Sequence, residues 1–218
     1  MRAIKVALFV LCLLPLGKLV LETLGVAGLS LGANPIEELL HRLGKWGLNL
    51  LLVTLTVTPL RRWTNLGWLV GFRRMLGLFA FFYIALHFLV YALLDQRLDP
   101  RAVIEDIVER PYITLGMTAL ILLTPLAITS TRWMMRRLGR RWKQLHQLIY
   151  PIALLGVWHF YWQVKQDVLE PLIYAGVLLF LFSVRAWYRW RRRRNLGSSQ
   201  KLTAGLSPQA SIAQRAPH

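Results

Sequence analysis

The stretch QLHQLIYPIALLGVWHFYW, residues 144–162, decides the class of fold. It carries no acid, lysine or arginine, yet it holds two histidines, His146 and His159, thirteen positions apart. At ~1.5 Å of rise per residue, a helix of this length crosses a hydrocarbon core of ~30 Å. Backbone groups in lipid must be satisfied internally, so the stretch is expected to be a membrane helix. An imidazole at such a place is costly unless something engages it, which makes both histidines functional candidates.

Working outward, the 218-residue chain is 56% hydrophobic and shows further apolar runs at 3–21, 44–60, 75–94, 112–130 and 168–188. The connections between the runs sort by charge. The 61–74 connection carries Arg61, Arg62, Arg73 and Arg74, and the 132–143 connection carries five arginines and Lys143, with no acid in either. All ten acids fall in the other three connections, around 22–38, 95–109 and 167–170. Basic loops stay in the cytoplasm, so both termini are expected inside. The fold class is therefore an all-α membrane protein, a six-transmembrane-helix bundle, N-in/C-in. A net charge of +17 distributed in this way marks the inner membrane surface and its lipids, with no role for nucleic acid.

Residues 1–192 are expected to form the transmembrane domain, and 193–218, polar and rich in small residues, a disordered cytoplasmic tail. The first run resembles a signal peptide in its basic start, but it lacks a small-residue cleavage site and contains Pro15 and Lys18, so a retained helix is expected. The single cysteine, Cys12, excludes an internal disulfide or a thiolate cluster. The 95–111 connection is expected to form a short surface helix after Pro100, and no internal repeat is evident.

Of the five histidines, His218 ends the tail and His41, beside Arg42 and Lys45, reads as an interfacial polar residue. His87 lies ~20 Å outward from Arg74 along the third helix, and His159 ~24 Å outward from Lys143 along the fifth. Both fall in the outer half of the bilayer at nearly one level. Two imidazoles at matched depth on different helices can grip one iron from opposite faces of a porphyrin. An interhelical hydrogen bond is the plain alternative, whereas a zinc site would need more ligands than this level offers. His146 lies only ~5 Å from the inner edge and ~140° around the axis from His159, unless Pro151 re-phases the helix.

The segments VTPLRR (57–62), RRMLGLFAFFYIALHFLVY (73–91), ERPYITLG (109–116), PLAITSTR (125–132) and LGRRWKQLHQLIYPIALLGVWHFYWQVK (138–165) together resemble the MsrQ family. These are the haem-binding membrane subunits of bacterial methionine sulfoxide reductase systems, within the ferric-reductase-like transmembrane superfamily. The resemblance covers residues 1–192. It implies a bacterial inner-membrane electron-transfer subunit that binds haem b and FMN and serves a periplasmic molybdopterin enzyme, MsrP, for repair of oxidised proteins. The electron donor it implies is the quinone pool or a cytoplasmic flavin reductase. The family's motif histidines fall on His87, His159 and His146.

Two departures shape the expectation. Fourteen positions before His87 stands Arg73 where two-haem relatives carry a second histidine, so one haem is expected, with a second left open at His146. No Gly-rich phosphate loop follows the helices, so hydride chemistry is expected on another protein. Arg73, Arg74, Arg132 and Trp142 mark the inner region for a second carrier, although positive-inside anchoring explains most such arginines. A membrane metalloreductase and a haem-free transporter or assembly factor remain the competing readings.

Overall fold

The computed structural model describes residues 2–26, 30–164 and 168–206, the last twelve of these by backbone alone. Asp167, assigned to an outer connection, and residues 207–218 of the expected tail, with His218, lie outside the described residues. Every regular element among those described is helical: α1 (Arg2–Thr23), α2 (Pro35–Thr64), α3 (Val70–Val90), α4 (Pro100–Glu109), α5 (Pro111–Ile128), α6 (Arg132–Leu138), α7 (Arg140–Leu145), α8 (Ile149–Gln163) and α9 (Leu169–Leu206). Five helical runs among them are long and apolar enough to cross a membrane: Arg2–Thr23, Pro35–Thr64, Gly67–Asp95, Pro111–Ile128 and Leu169–Arg194.

The expected span at 144–163 is the one that differs. It is not a single α-helix: α7 passes through a 3-10 turn at His146–Leu148 into α8, which has 15 residues. Pro151, three residues past this turn, has no N–H for the Gln147 carbonyl, which suits a tighter turn there. The surface helix expected after Pro100 is α4, whose cap Asp99 accepts the backbone N–H of Arg101 at 2.9 Å. The basic 132–143 connection folds as α6 and α7, divided at Gly139, whose φ of +51° suits glycine.

The chain forms two compact units, residues 1–178 and 179–218. In the first, α2 packs along α3 and α5 packs along α8, giving two antiparallel helix hairpins. Small residues let the helices approach, as is usual in membranes. A Cβ on Gly47 would fall 2.6 Å from Ile84 Cγ1, so only glycine fits that crossing. The second unit holds the rest of α9, where Arg191 lies over the Trp187 ring at 5.4 Å and Arg194 over Trp190 at 4.6 Å.

α1 is apolar all round, and Val6, Leu11 and Leu14 are each more than half exposed, as befits a helix facing lipid. Two polar ties hold it to the hairpins. Arg42 of α2 reaches Glu22 of α1 at 2.5 Å and Glu38 at 2.6 Å. Deeper, Pro15 has no N–H to give the α1 ladder. Close to that break the fully buried Tyr83 of α3 inserts its hydroxyl, which accepts from the Leu16 N–H (3.1 Å) and donates to the Cys12 carbonyl (2.7 Å). Insertion of a side chain into the ladder is a known cause of helix bending.

Tyr83→Phe removes both bonds and is expected to lower thermal stability by about 1–3 kcal/mol. Cys12, buried in the native chain, should then react faster with a maleimide; an unchanged labelling rate would show that the hydroxyl does not anchor α1.

Candidate functional site

The two histidines at matched depth meet. The imidazoles of His87 (α3) and His159 (α8) stand with ring centroids 6.3 Å apart and planes at 77°, and both line one cavity between the hairpins. Their Nδ1 atoms are both engaged by backbone. His87 Nδ1 lies 2.9 Å from the Leu40 carbonyl of α2, and His159 Nδ1 lies 2.6 Å from the Tyr112 carbonyl of α5. A carbonyl can only accept, so each Nδ1 carries the proton. Each Nε2 is thereby left with its lone pair free for a metal, the arrangement seen when a second partner orients a ligating histidine.

A glycine makes each contact possible. Gly44 follows Leu40 by one helical turn, and a Cβ there would sit 3.3 Å from His87 Nδ1 and Cε1. Gly116 follows Tyr112 by one turn, and its Cβ would sit 3.0 Å from His159 Nδ1 and Cε1. In both cases the ring lies over a bare Cα to reach the carbonyl one turn earlier.

The same arrangement occurs twice because the hairpins repeat. At an offset of 72 positions, Leu43 matches Leu115, Gly44 matches Gly116, Leu48, Leu50 and Leu51 match Leu120, Leu122 and Leu123, and His87–Phe88 matches His159–Phe160. No repeat is evident along the sequence as a whole, yet α2–α3 and α5–α8 place these residues alike, each histidine meeting a carbonyl 47 positions before it, an arrangement of parallel units known in other membrane folds. Each copy supplies one imidazole and one carbonyl.

Metal–nitrogen bonds of about 2.0–2.1 Å on both sides, plus about 1 Å from each nitrogen to its ring centre, set two centroids about 6 Å apart across one metal. The observed 6.3 Å agrees. Among the described residues, no three His, Cys, Asp or Glu side chains gather as a metal site. Two axial imidazoles with every other donor from elsewhere fit a porphyrin, and the deep walls of the cavity, Leu48, Leu51, Leu120, Leu123 and Ile152, are apolar as its ring requires.

The third sequence candidate lies apart. His146, in the 3-10 turn, does not line this cavity. It stacks on Trp142 at 3.9 Å, its Nδ1 lies 3.1 Å from the Trp142 carbonyl, and its buried Nε2 has no hydrogen-bond partner among the described residues. The sequence reading missed His41, which lines the cavity and contacts the Gln163 amide, and Lys45 and Arg110, which line the same end of it. A helical stripe of His41, Gly44, Lys45 and Leu48 around a glycine could have shown that this face turns inward.

The profile of the ferric reductase like transmembrane component family matches residues 43–157. A Xanthomonas campestris pv. campestris (strain 8004) protein is 55% identical over 165 residues, 76% of each chain. A Ralstonia nicotianae protein is 47% identical over 197 residues, 89% of each chain. One from Xanthomonas oryzae pv. oryzae (strain MAFF 311018) is 53% identical over 165 residues, 76% of each chain. All three bear the name protein-methionine-sulfoxide reductase heme-binding subunit MsrQ. No solved structure matches the chain.

Gly116→Ala must displace the His159 ring, whereas Gly44→Ala needs a smaller adjustment at His87. The expected cost for Gly116→Ala is about 1–3 kcal/mol. Imidazole ¹⁵N spectra should show both native rings as the Nδ1–H tautomer, with His159 losing that signature in Gly116→Ala. A native Nε2–H tautomer at either ring would contradict the orientation described.

Proposed function

The chain belongs to the ferric-reductase-like transmembrane family and to its MsrQ branch; from that premise we infer that it is the haem-binding electron-transfer subunit of a protein-methionine-sulfoxide reductase system, working with a separate catalytic subunit. The observation that carries this reading is the pair of oriented imidazoles, 6.3 Å apart, in an apolar cavity between two membrane hairpins.

In this proposal His87 and His159 would hold the haem iron through their Nε2 atoms. A haem b held between them supplies one-electron exchange at iron, at a potential set by its ligands and surroundings. The Leu40 and Tyr112 carbonyls fix the imidazole planes and raise the basicity of the Nε2 atoms. With both His87 and His159 on the iron, a haem held here would offer no open site for oxygen or a soluble ligand, which would suit electron transfer. Leu48, Leu51, Leu120, Leu123 and Ile152 keep water from the deep part of the cavity.

The finer assignments follow the same proposal. The membrane domain is a six-helix bundle with both termini in the cytoplasm of a bacterial inner membrane, supported by the segregation of basic and acidic connections. Its partner is the periplasmic molybdopterin subunit MsrP, reached from the outer end of the cavity. On the inner side, His146 with its unpartnered Nε2 is the candidate ligand for a second haem. Arg73, Arg74 and Arg132 are the candidate anchors for the phosphate of FMN, whose oxygens suit guanidinium geometry. Electrons come from the quinone pool or a cytoplasmic flavin reductase. A metalloreductase would share the haem site but would have no molybdoenzyme partner.

Purified protein is expected to show the sharp reduced α-band of bis-imidazole haem, and His87→Ala or His159→Ala should each abolish most of it, while His146→Ala leaves it in place. A spectrum indifferent to the first two substitutions overturns the ligand assignment. No spectrum at all favours a haem-free transporter or assembly factor, and co-purification with a periplasmic molybdoenzyme separates the reading from a metalloreductase.

A further inference from the structure

The cavity is chemically lopsided. Its deep walls are aliphatic, while polar lining gathers at the end where α2 and α5 begin and α3 and α8 finish. Three basic groups stand there: His41 and Lys45, one turn apart on α2, and Arg110, which immediately precedes α5. Asp95 is the acid on the same rim, and its carboxylate takes the Gln96 amide at 3.3 Å. Lys45 is adjacent to Gly44, over which His87 lies, and its ammonium sits 5.9 Å from the Phe160 ring, next to His159. Lys45 thus lines the same cavity as both imidazoles.

Neither cation is locked away. Lys45 pairs with Glu170 at 2.6 Å, but the two side chains are 36% and 41% exposed. Arg110 pairs with Asp106 at 3.3 Å, the arginine side chain 54% and the aspartate side chain 14% exposed. The Lys45 pair, open to water on both sides, contributes little, and the Arg110 guanidinium, with five donors, keeps an exposed face for a second anion. Nor does helix packing require the ammonium. The second hairpin carries Met117 at the place equivalent to Lys45, lining the same cavity, and Ile113 at the place equivalent to His41. The repeated scaffold thus accommodates an apolar side chain at both positions, and only the first copy is basic.

Resting on the haem reading above, we propose that Lys45 and Arg110, assisted by His41, hold the two carboxylate arms of the porphyrin. The macrocycle is then fixed in its own plane, with its carboxylate edge at the α4 end of the cavity and its hydrocarbon edge among the aliphatic walls. The imidazoles alone leave the ring free to rotate about the axis joining them; the cations remove that freedom. These are positioning residues: they set which edge of the cofactor meets the outer surface, where a docked acceptor would lie.

The test compares iron protoporphyrin IX with its dimethyl ester, which keeps the ring and the metal but lacks the two negative charges. Each is titrated into the full-length chain purified without haem, with binding read from the Soret band. Native protein should bind the free acid at least about tenfold more tightly than the ester, the scale of hydrogen bonds to charged groups. Lys45→Met and Arg110→Met should each lose most of that preference while still giving a bis-imidazole spectrum with the ester. Glu170→Gln, which breaks the same ion pair but keeps the ammonium, should retain the preference or increase it.

Equal affinity of the native chain for acid and ester overturns the proposal, as does a native preference unchanged in both cation variants. Loss of preference in Glu170→Gln equal to that in Lys45→Met also overturns it, since the ion pair would then be the cause. Failure of both porphyrins to give a bis-imidazole spectrum with the native chain would instead refute the haem reading.

Discussion

Everything in the site depends on one hydrogen bond made twice: an imidazole Nδ1–H given to a main-chain carbonyl on the neighbouring helix. A helical carbonyl is already used by the N–H one turn later, so a second donor can approach only from the side. The residue one turn on must not block that path, and glycine is the only one that leaves it clear at 3.0–3.3 Å. The ring is then bound at one nitrogen, in a fixed plane, with the other nitrogen presented to the cavity. In hydrocarbon, where no water can satisfy the Nδ1 proton, the carbonyl also removes the main cost of burying the histidine.

The duplication explains why this costly arrangement can exist in pairs. A single hairpin offers one imidazole to lipid, which has no use for it. Two copies placed side by side turn the same face toward each other and enclose the space between them. Matched depth then follows from the repeat, since equal helix registers put His87 and His159 at equal heights. The remaining elements serve this core. The Tyr83 hydroxyl and Arg42 fasten α1, whose outer surface is given over to lipid, and Asp106 of α4 accepts the Tyr91 hydroxyl at 3.0 Å beside the polar end.

Most of the fold could be read from the sequence because hydropathy and the basic loops report on the bilayer, a solvent with a known thickness and a known preference. Depth alone brought His87 and His159 to one level, since rise per residue is nearly constant in any helix. The 3-10 turn at His146–Leu148 was legible only through Pro151, which withholds an N–H from the Gln147 carbonyl, because the apolar pattern runs straight through it. The repeat escaped. Aliphatic residues in apolar helices resemble one another anyway, so the matches of glycine, histidine and phenylalanine were too few to stand out before the geometry singled them out. His41 and Lys45 were hidden for the opposite reason: charged residues near a helix end are so common at a membrane interface that their presence carries no signal about which way they point.

A symmetric scaffold would bind a symmetric object without preference, and an electron relay across a membrane needs direction. Where the copies differ is therefore as informative as where they agree. They agree at the glycine, the histidine and the phenylalanine after it, which together build the ligand pair. They differ at the rim, with Lys45 against Met117 and His41 against Ile113, all four lining the cavity. Shared residues create the site and unshared residues orient it. Under the proposal above, the rim cations supply polarity along the membrane normal, since they stand at one end of the cavity.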